Sequence, residues 1–195
     1  IIRAPADWIR SLCQKAPSYF TQLARNPERS VIIGGQHQVF APIYGAPFVR
    51  DLKGGRRYGD IAAFQDLVRL TYLHPHLHHG GFVTCEPCDI PVNKRHLDML
   101  FAHMTLSDKP HLGAITEMSR AEDSVAMAEI IFGREVMEKD CVILGNVNTN
   151  SPLLVDKVVT EAVRVYCGRG QGIIVVPFIL SGAMGPVSTA ASVAQ

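Results

Sequence analysis

No apolar stretch of this 195-residue chain reaches the roughly 18 residues that a membrane-spanning helix requires. GIIVVPFIL, from Gly172, is only of strand length. No basic segment followed by an apolar one opens the sequence, so no secretion signal is visible. Charge of one sign is missing too: 19 Lys and Arg against 18 Asp and Glu leave a net charge of +1, scattered along the chain. That balance points to neither nucleic acid nor an anionic membrane. Cysteine is sparse, at five residues, and segments such as CVIL and VYC put it in strand and helix patterns. Reduced thiols of a cytoplasmic protein are therefore expected, not a disulfide framework. The chain lacks G-x-x-x-x-G-K, G-x-G-x-x-G opening a helix, and G-x-S-x-G. These absences argue against a P-loop, a dinucleotide fold and a serine-hydrolase elbow.

What is present is a large apolar fraction, 47% hydrophobic residues with a mean hydropathy of +0.12, enough to bury a core. It is distributed with a period. GFVTCEPCD from Gly81, HLGAITE from His111, CVILGNVNTNS from Cys141 and GIIVVPFILSG from Gly172 are apolar runs that each end in polar or Gly-rich residues. Phe82, Leu112, Val142 and Ile173 mark equivalent places, 30, 30 and 31 residues apart. That is the length of a strand, a loop, a helix and a loop, and it predicts repeated βα units building a parallel sheet. The fold class expected is α/β, a TIM-type (β/α)8 barrel. Four units make half of one, which needs about 250 residues. The chain begins at Ile1 without a methionine and ends in the small-residue stretch SGAMGPVSTAASVAQ, so a fragment of a longer protein is expected.

Residues 1–58 are expected to form an N-terminal extension and residues 59–195 the first barrel units. Within residues 1–28 two short helices are predicted, one carrying Trp8, Ile9 and Leu12, the other Tyr19, Phe20 and Leu23, broken by Pro17 and stopped by Pro27. SVIIGG, HQVFAPIYG and APFVRD then read as short strands and DLKGGRRYGD as a loop. Four helices follow. The first starts at an Asp60 N-cap and buries Ile61, Phe64, Leu67 and Val68. The second starts near Asn93, with Leu97, Leu100, Phe101 and Met104 on one face. The third carries a Ser119-Arg120-Ala121-Glu122 capping box. The fourth starts at Asp156 and buries Val159, Ala162, Val163 and Tyr166.

In a barrel the residues just past the strand ends form the active-site face. Here they are Glu86 and Asp89, then Thr116 and Glu117, then Asn146, Asn148, Asn150 and Ser151, then Ser181 and Gly182. Carboxylates there would hold a cation, and amides and hydroxyls would orient polar groups. The competing reading is that such residues cap helices and satisfy loop backbone. Cys85-Glu-Pro-Cys88 has metal or redox spacing, with His78 and His79 upstream, but a second C-x-x-C is lacking. Buried thiols in a loop are the simpler expectation. The HPHLHH cluster of His74, His76, His78 and His79 reads as a solvent-facing polar stretch or as charge compensation at a helix C-terminus. In GRGQG, Gly168 reads as a helix C-cap.

VFAPIYGAPFVRDLKGGRRYGD, the Cys-Glu-Pro-x-Asp-x-Pro segment, ITEMSRAED, GNVNTNSPL and VVPFILSGAMGPVSTA together resemble the trimethylamine methyltransferase (MttB) family. The most specific pieces are Asn148 to Leu153 and Gly182 to Thr189. The resemblance runs from about Val31 to the last residue. It implies a TIM-barrel enzyme, a non-pyrrolysine-type homologue, that moves a methyl group from trimethylamine or a betaine to the Co(I) corrinoid (cobalamin) of a separate partner protein. No cofactor or metal bound by the chain itself is implied, and a homo-oligomer is expected. Glu86, Glu117, Asn146, Asn148, Ser151 and Ser181 are the expected substrate-binding residues, with Glu117 and Asn146 foremost. Two alternatives stay open: a zinc-dependent thiol methyltransferase using Cys85 and Cys88, and a non-catalytic quaternary-ammonium-binding module. From the leading reading, Glu117→Gln in the full-length protein raises KM for a cationic substrate with the fold intact. An unchanged KM and kcat would remove Glu117 from the site.

Overall fold

The computed structural model describes residues 3–42, 45–149 and 155–177. Helix α1 (Ala6–Cys13) is followed by strands β1 (Tyr19–Gln22), β2 (Val31–Gly34), β3 (Phe48–Asp51) and β4 (Gly55–Tyr58). Then come α2 (Ile61–Leu73), α3 (Arg95–Leu106), β5 (Leu112–Gly113), α4 (Met118–Phe132), the short α5 (Arg134–Lys139), β6 (Leu144–Thr149), α6 (Lys157–Gly168) and β7 (Gly172–Pro177). The fold is mixed α/β. Strands β5, β6 and β7 form a parallel sheet in that order, Gly113 opposite Gly145 and Asn146 opposite Ile174. Among the described residues this sheet has three strands and is not closed into a barrel. No described helix is long and apolar enough to cross a membrane.

The spacing of the last three apolar runs thus marks real strands, while the first does not. Gly81 to Asp89 forms no regular strand, although it lies beside β5, with Gly80 N–H donating to Pro110 O at 2.7 Å and Leu112 N–H to Gly81 O at 2.9 Å. Two causes are visible. Gly81 has φ +69°, outside the extended region, and the bonding groups of Val83 and Glu86 are taken by Gly45 and Ala46.

The N-terminal region departs further from expectation. Tyr19, Phe20 and Thr21, predicted helical, are strand, paired antiparallel with Gly34, Ile33 and Ile32, as aromatic and β-branched residues favour. The predicted DLKGGRRYGD loop contains β4, which forms a hairpin with β3. HQVFAPIYG forms no strand over its described residues; Phe40 O instead accepts from His78 N and His79 N.

Each helix is amphipathic in its own way. Asp60 caps α2, its carboxylate accepting from Ala63 N at 2.8 Å. The capping box at Ser119 is not formed: Ser119 lies inside α4 and Glu117 takes the N-cap position without a side-chain cap bond. The left-handed residue after α6 is Gly170, not Gly168. On α3 the buried stripe is rotated from the predicted one: Leu100 and Met104 are inside, but Phe101 is 60% exposed, and His96 and His103 occupy the core. Both histidines find partners there, which sequence spacing does not reveal.

Helix α6 lies on the sheet through a close approach. Tyr166 is fully buried, its Oη donates to Ala114 O at 2.8 Å, and its ring passes over Gly113 and Gly145. A methyl group on Gly113 would run into Tyr166 Oη and come within 2.9 Å of Ile143 Cδ1. Ser124 of α4 closes the same layer, donating to Arg120 O and accepting from Ala114 N.

The start of the sheet is stapled by two buried amides. Gln22 Nε2 donates to His111 O and Val142 O, tying β1 to the entry of β5 and β6. Gln171 Oε1 accepts from Val142 N and Ile143 N, while its Nε2 donates to Met137 O. Beside Gln22 lie His79, His103 and His111, all buried, with His103 and His111 stacked 5.5 Å apart. The surface reading of HPHLHH therefore fails at His79, whose Nε2 meets Gln22 Oε1 at 3.1 Å. The cation at the α2 C-terminus is Lys109, which donates to Thr71 O and His74 O.

Two predictions follow from this architecture. Gly113→Ala is expected to cost about 1–3 kcal/mol or more in urea unfolding, since neither Tyr166 nor Ile143 has room to move; an unchanged midpoint would contradict the close approach. Burial pushes His103 down to about 4 and His79 to about 3, so both are neutral in the fold and take up protons on unfolding. Stability is then full above the ordinary value of 6.5 and falls as pH drops from there toward 4. Urea midpoints measured across that window are expected to decline, and His103→Gln to flatten the decline.

Candidate functional site

At the C-terminal ends of β5 and β6 the sheet, the segment from Phe82 to Glu86, α3 and the starts of α4 and α6 border an open cavity of about 450 Å³. Its apolar wall is Phe82, Val83, Met99, Ala114 and Ile115. Its polar groups are Glu86, Arg95, His96, Thr116, Arg120, Asn146, Asn148 and Asp156. Alternation along β6 places Asn146 and Asn148 on one face, where Asn146 Nδ2 donates to Asn148 Oδ1 at 3.3 Å, and leaves Gly145 against Ile115 and Tyr166.

The charges in this wall are largely matched. Arg95 Nη1 meets Glu86 Oε2 at 2.7 Å, and its Nε and Nη2 donate to Ile90 O, fixing the loop that carries Glu86. Arg120 Nε meets Glu117 Oε2 at 3.2 Å, and its Nη1 donates to Thr116 Oγ1. His96, only 5% exposed, bonds Asp123 Oδ2 through Nε2 at 2.7 Å, and its Nδ1 is buried with no partner among the described residues.

Of the residues singled out from the sequence, Glu86, Asn146 and Asn148 thus come together, with Thr116 beside them. Glu117 is at the rim: its side chain is 56% exposed and reaches the cavity only through Arg120. Asp89 does what the alternative reading supposed, its carboxylate accepting from Ile61 N at 2.9 Å at the start of α2. Asn150, Ser151, Ser181 and Gly182 lie outside the described residues. Arg95, His96, Arg120 and Asp156 were not anticipated. Nothing in sequence spacing singles out Arg95 or links His96 to Asp123, 27 residues on.

Cys85 and Cys88 both donate to Glu86 O, at 3.7 and 3.5 Å, but their surroundings differ. Cys85 is buried against Gly59, burial pushing its thiol up, whereas Cys88 is exposed. Among the described residues no group of three or more His, Cys, Asp or Glu is arranged to hold a metal ion.

The cavity and the strand ends that build it fall within a stretch, residues 1–195, that matches the trimethylamine methyltransferase (MTTB) family along its whole length. The chain belongs to that family. It is 37% identical over 185 residues to a glycine betaine methyltransferase of Desulfitobacterium hafniense (strain Y51). The alignment covers 94% of this chain and 39% of the relative, so the chain spans about two fifths of the relative's length.

Proposed function

We propose that the protein is a methyltransferase built on a (β/α)8 barrel, taking a methyl group from a methylated or quaternary amine and delivering it to the Co(I) corrinoid of a partner protein. The observation that carries this is the cavity at the ends of β5 and β6, which gathers Glu86, Asn146 and Asn148 in a chain of the trimethylamine methyltransferase family. A quaternary nitrogen has neither a lone pair nor a hydrogen, so a protein holds it by charge and by aromatic faces. Among the described lining residues Asp156 supplies a carboxylate outside any ion pair, Glu86 being matched by Arg95, and Phe82 supplies a phenyl ring.

The corrinoid, when its carrier docks over the strand ends, supplies a nucleophilic metal that takes the methyl group. The chain's share is to hold the amine in line and to exclude water. The apolar wall of Val83, Met99, Ala114 and Ile115 suits the second task. The carbon–nitrogen bond breaks with its electron pair remaining on nitrogen, so a cation becomes a neutral amine.

The test is methyl transfer by the full-length protein from a panel of methylated amines and betaines to Co(I) corrinoid, followed by corrinoid absorbance. Conversion to the methylated form with one substrate is expected. No conversion with any substrate by a folded protein would favour the binding-only alternative.

A further inference from the structure

We infer that the outer face of the β3–β4 hairpin is the docking surface for the corrinoid protein, and that it takes an acidic face of that partner. The inference rests on the reading of the cavity as a methyl-transfer site and names where on this chain the partner is held.

The hairpin concentrates charge in a chain that is otherwise balanced. Residues 50–57 hold four cations, Arg50, Lys53, Arg56 and Arg57, and a single carboxylate, Asp51. Asp51 is committed to the turn, accepting from Lys53 N and Gly54 N. Arg57 is matched by Asp60 at 3.1 Å. Arg50, Lys53 and Arg56 have no carboxylate partner among the described residues.

Strand alternation sorts these residues by face. Val49 packs toward the core, so Phe48, Arg50, Arg56 and Tyr58 share the opposite, outward side. Arg50 stands directly across from Arg56 in the antiparallel register, and Phe48 across from Tyr58. Like charges at paired positions weaken a hairpin, and no described carboxylate offsets this pair. Arg56 is instead held over the Phe48 ring, 3.8 Å from its centroid, and that ring lies 4.7 Å from Tyr58. Tyr58 is 65% exposed. The face thus presents two positioned arginines and a tyrosine, residue types that anchor protein interfaces. Its charge selects an acidic counterpart.

The position of the hairpin ties it to methyl transfer. Ala46 O accepts from Glu86 N at 2.9 Å, Pro47 O from Gly59 N at 3.0 Å and Gly59 O from Cys88 N at 2.8 Å. The base of the hairpin is therefore bonded to the loop that carries Glu86, a residue lining the cavity. In-line transfer requires the protein that carries the corrinoid to sit over the cavity mouth, and a protein seated there lies beside the hairpin. The cavity's own guanidinium groups are already engaged, Arg95 by Glu86 and Arg120 by Glu117. The unmatched cations next to the site are those of the hairpin, and they can draw in and orient an acidic partner without disturbing the contacts of the substrate.

The test is methyl transfer by the full-length protein to two acceptors, a purified corrinoid protein and free cob(I)alamin, with and without the paired substitutions Arg50→Glu and Arg56→Glu. Charge reversal is expected to raise KM for the corrinoid protein about tenfold or more, while the rate with free cob(I)alamin and KM for the methyl donor stay unchanged. Raising the salt concentration from about 0.05 to 0.5 M is expected to weaken use of the corrinoid protein by the unaltered enzyme and to have little effect on the variant. An unchanged KM for the corrinoid protein would overturn the inference. So would equal losses with both acceptors, which would make the hairpin a support of the cavity, and so would a change in oligomeric mass by light scattering, which would assign the face to a second copy of the chain. Each of these leaves the methyl-transfer reading in place. Failure of the unaltered protein to methylate either acceptor would overturn that reading and the inference with it.

Discussion

The packing of Tyr166 over Gly113 and Gly145 is the constraint on which the rest of the sheet depends. Parallel strands carry their helices on a face, and the distance between layers is set by what stands between them. Here two neighbouring strands present glycine at paired positions, so a large aromatic side chain of α6 lies directly on the backbone. Its hydroxyl reaches Ala114 O, at the point where β5 stops and the cavity begins. Ser124 of α4 bonds the amide of the same residue. The end of β5 is thereby held from both helices, and Thr116, two residues on, inherits its position.

The two ends of this sheet handle polar groups differently. At the start, Gln22 and Gln171 saturate backbone groups, and burial holds three histidines neutral. That is a buried polar cluster in which most groups are paired, His103 Nδ1 and His111 Nε2 lacking a partner among the described residues. At the other end the polar groups are paired into the wall but face a void, as Glu86 with Arg95 and Arg120 with Thr116 do. Half-exposed ion pairs of this kind contribute little stability; their effect is to fix where charge sits. A site for a charged substrate needs such a fixed arrangement, because reorienting dipoles during the reaction is what catalysis must avoid.

Part of the site was legible in the residues alone. By the rule that residues past strand ends face one pocket, Glu86, Asn146 and Asn148 were expected there and do line one cavity, although Asn146 and Asn148 lie within β6 and Glu86 follows no regular strand. The rule misjudged Asp89, which a helix N-terminus claimed, and it overrated Glu117, which turned outward to Arg120. Both failures have one origin. A carboxylate near a strand end is equally near the free N–H groups of the next helix and the cations of its first turn, and only the path of the backbone decides between them.

What the sequence determined by itself is the succession of βα units from His111 onward and the buried faces of α2 and α6, because hydrophobic period is a local property that follows from residue spacing alone. It equally carried the family, through long segments such as GNVNTNSPL. The tertiary structure decided the rest: that Tyr19 to Gln22 pairs as a strand instead of coiling, that Gly81 to Asp89 forms no regular strand, and that His96 and His103 enter the core of α3. In each case the deciding partner lies far along the chain, Val31 to Gly34 for the first, Gly45 and Ala46 for the second, Asp123 and Phe82 O for the third. A hydrogen bond to a distant residue leaves no period in the sequence, and so these features become visible only when the chain is folded.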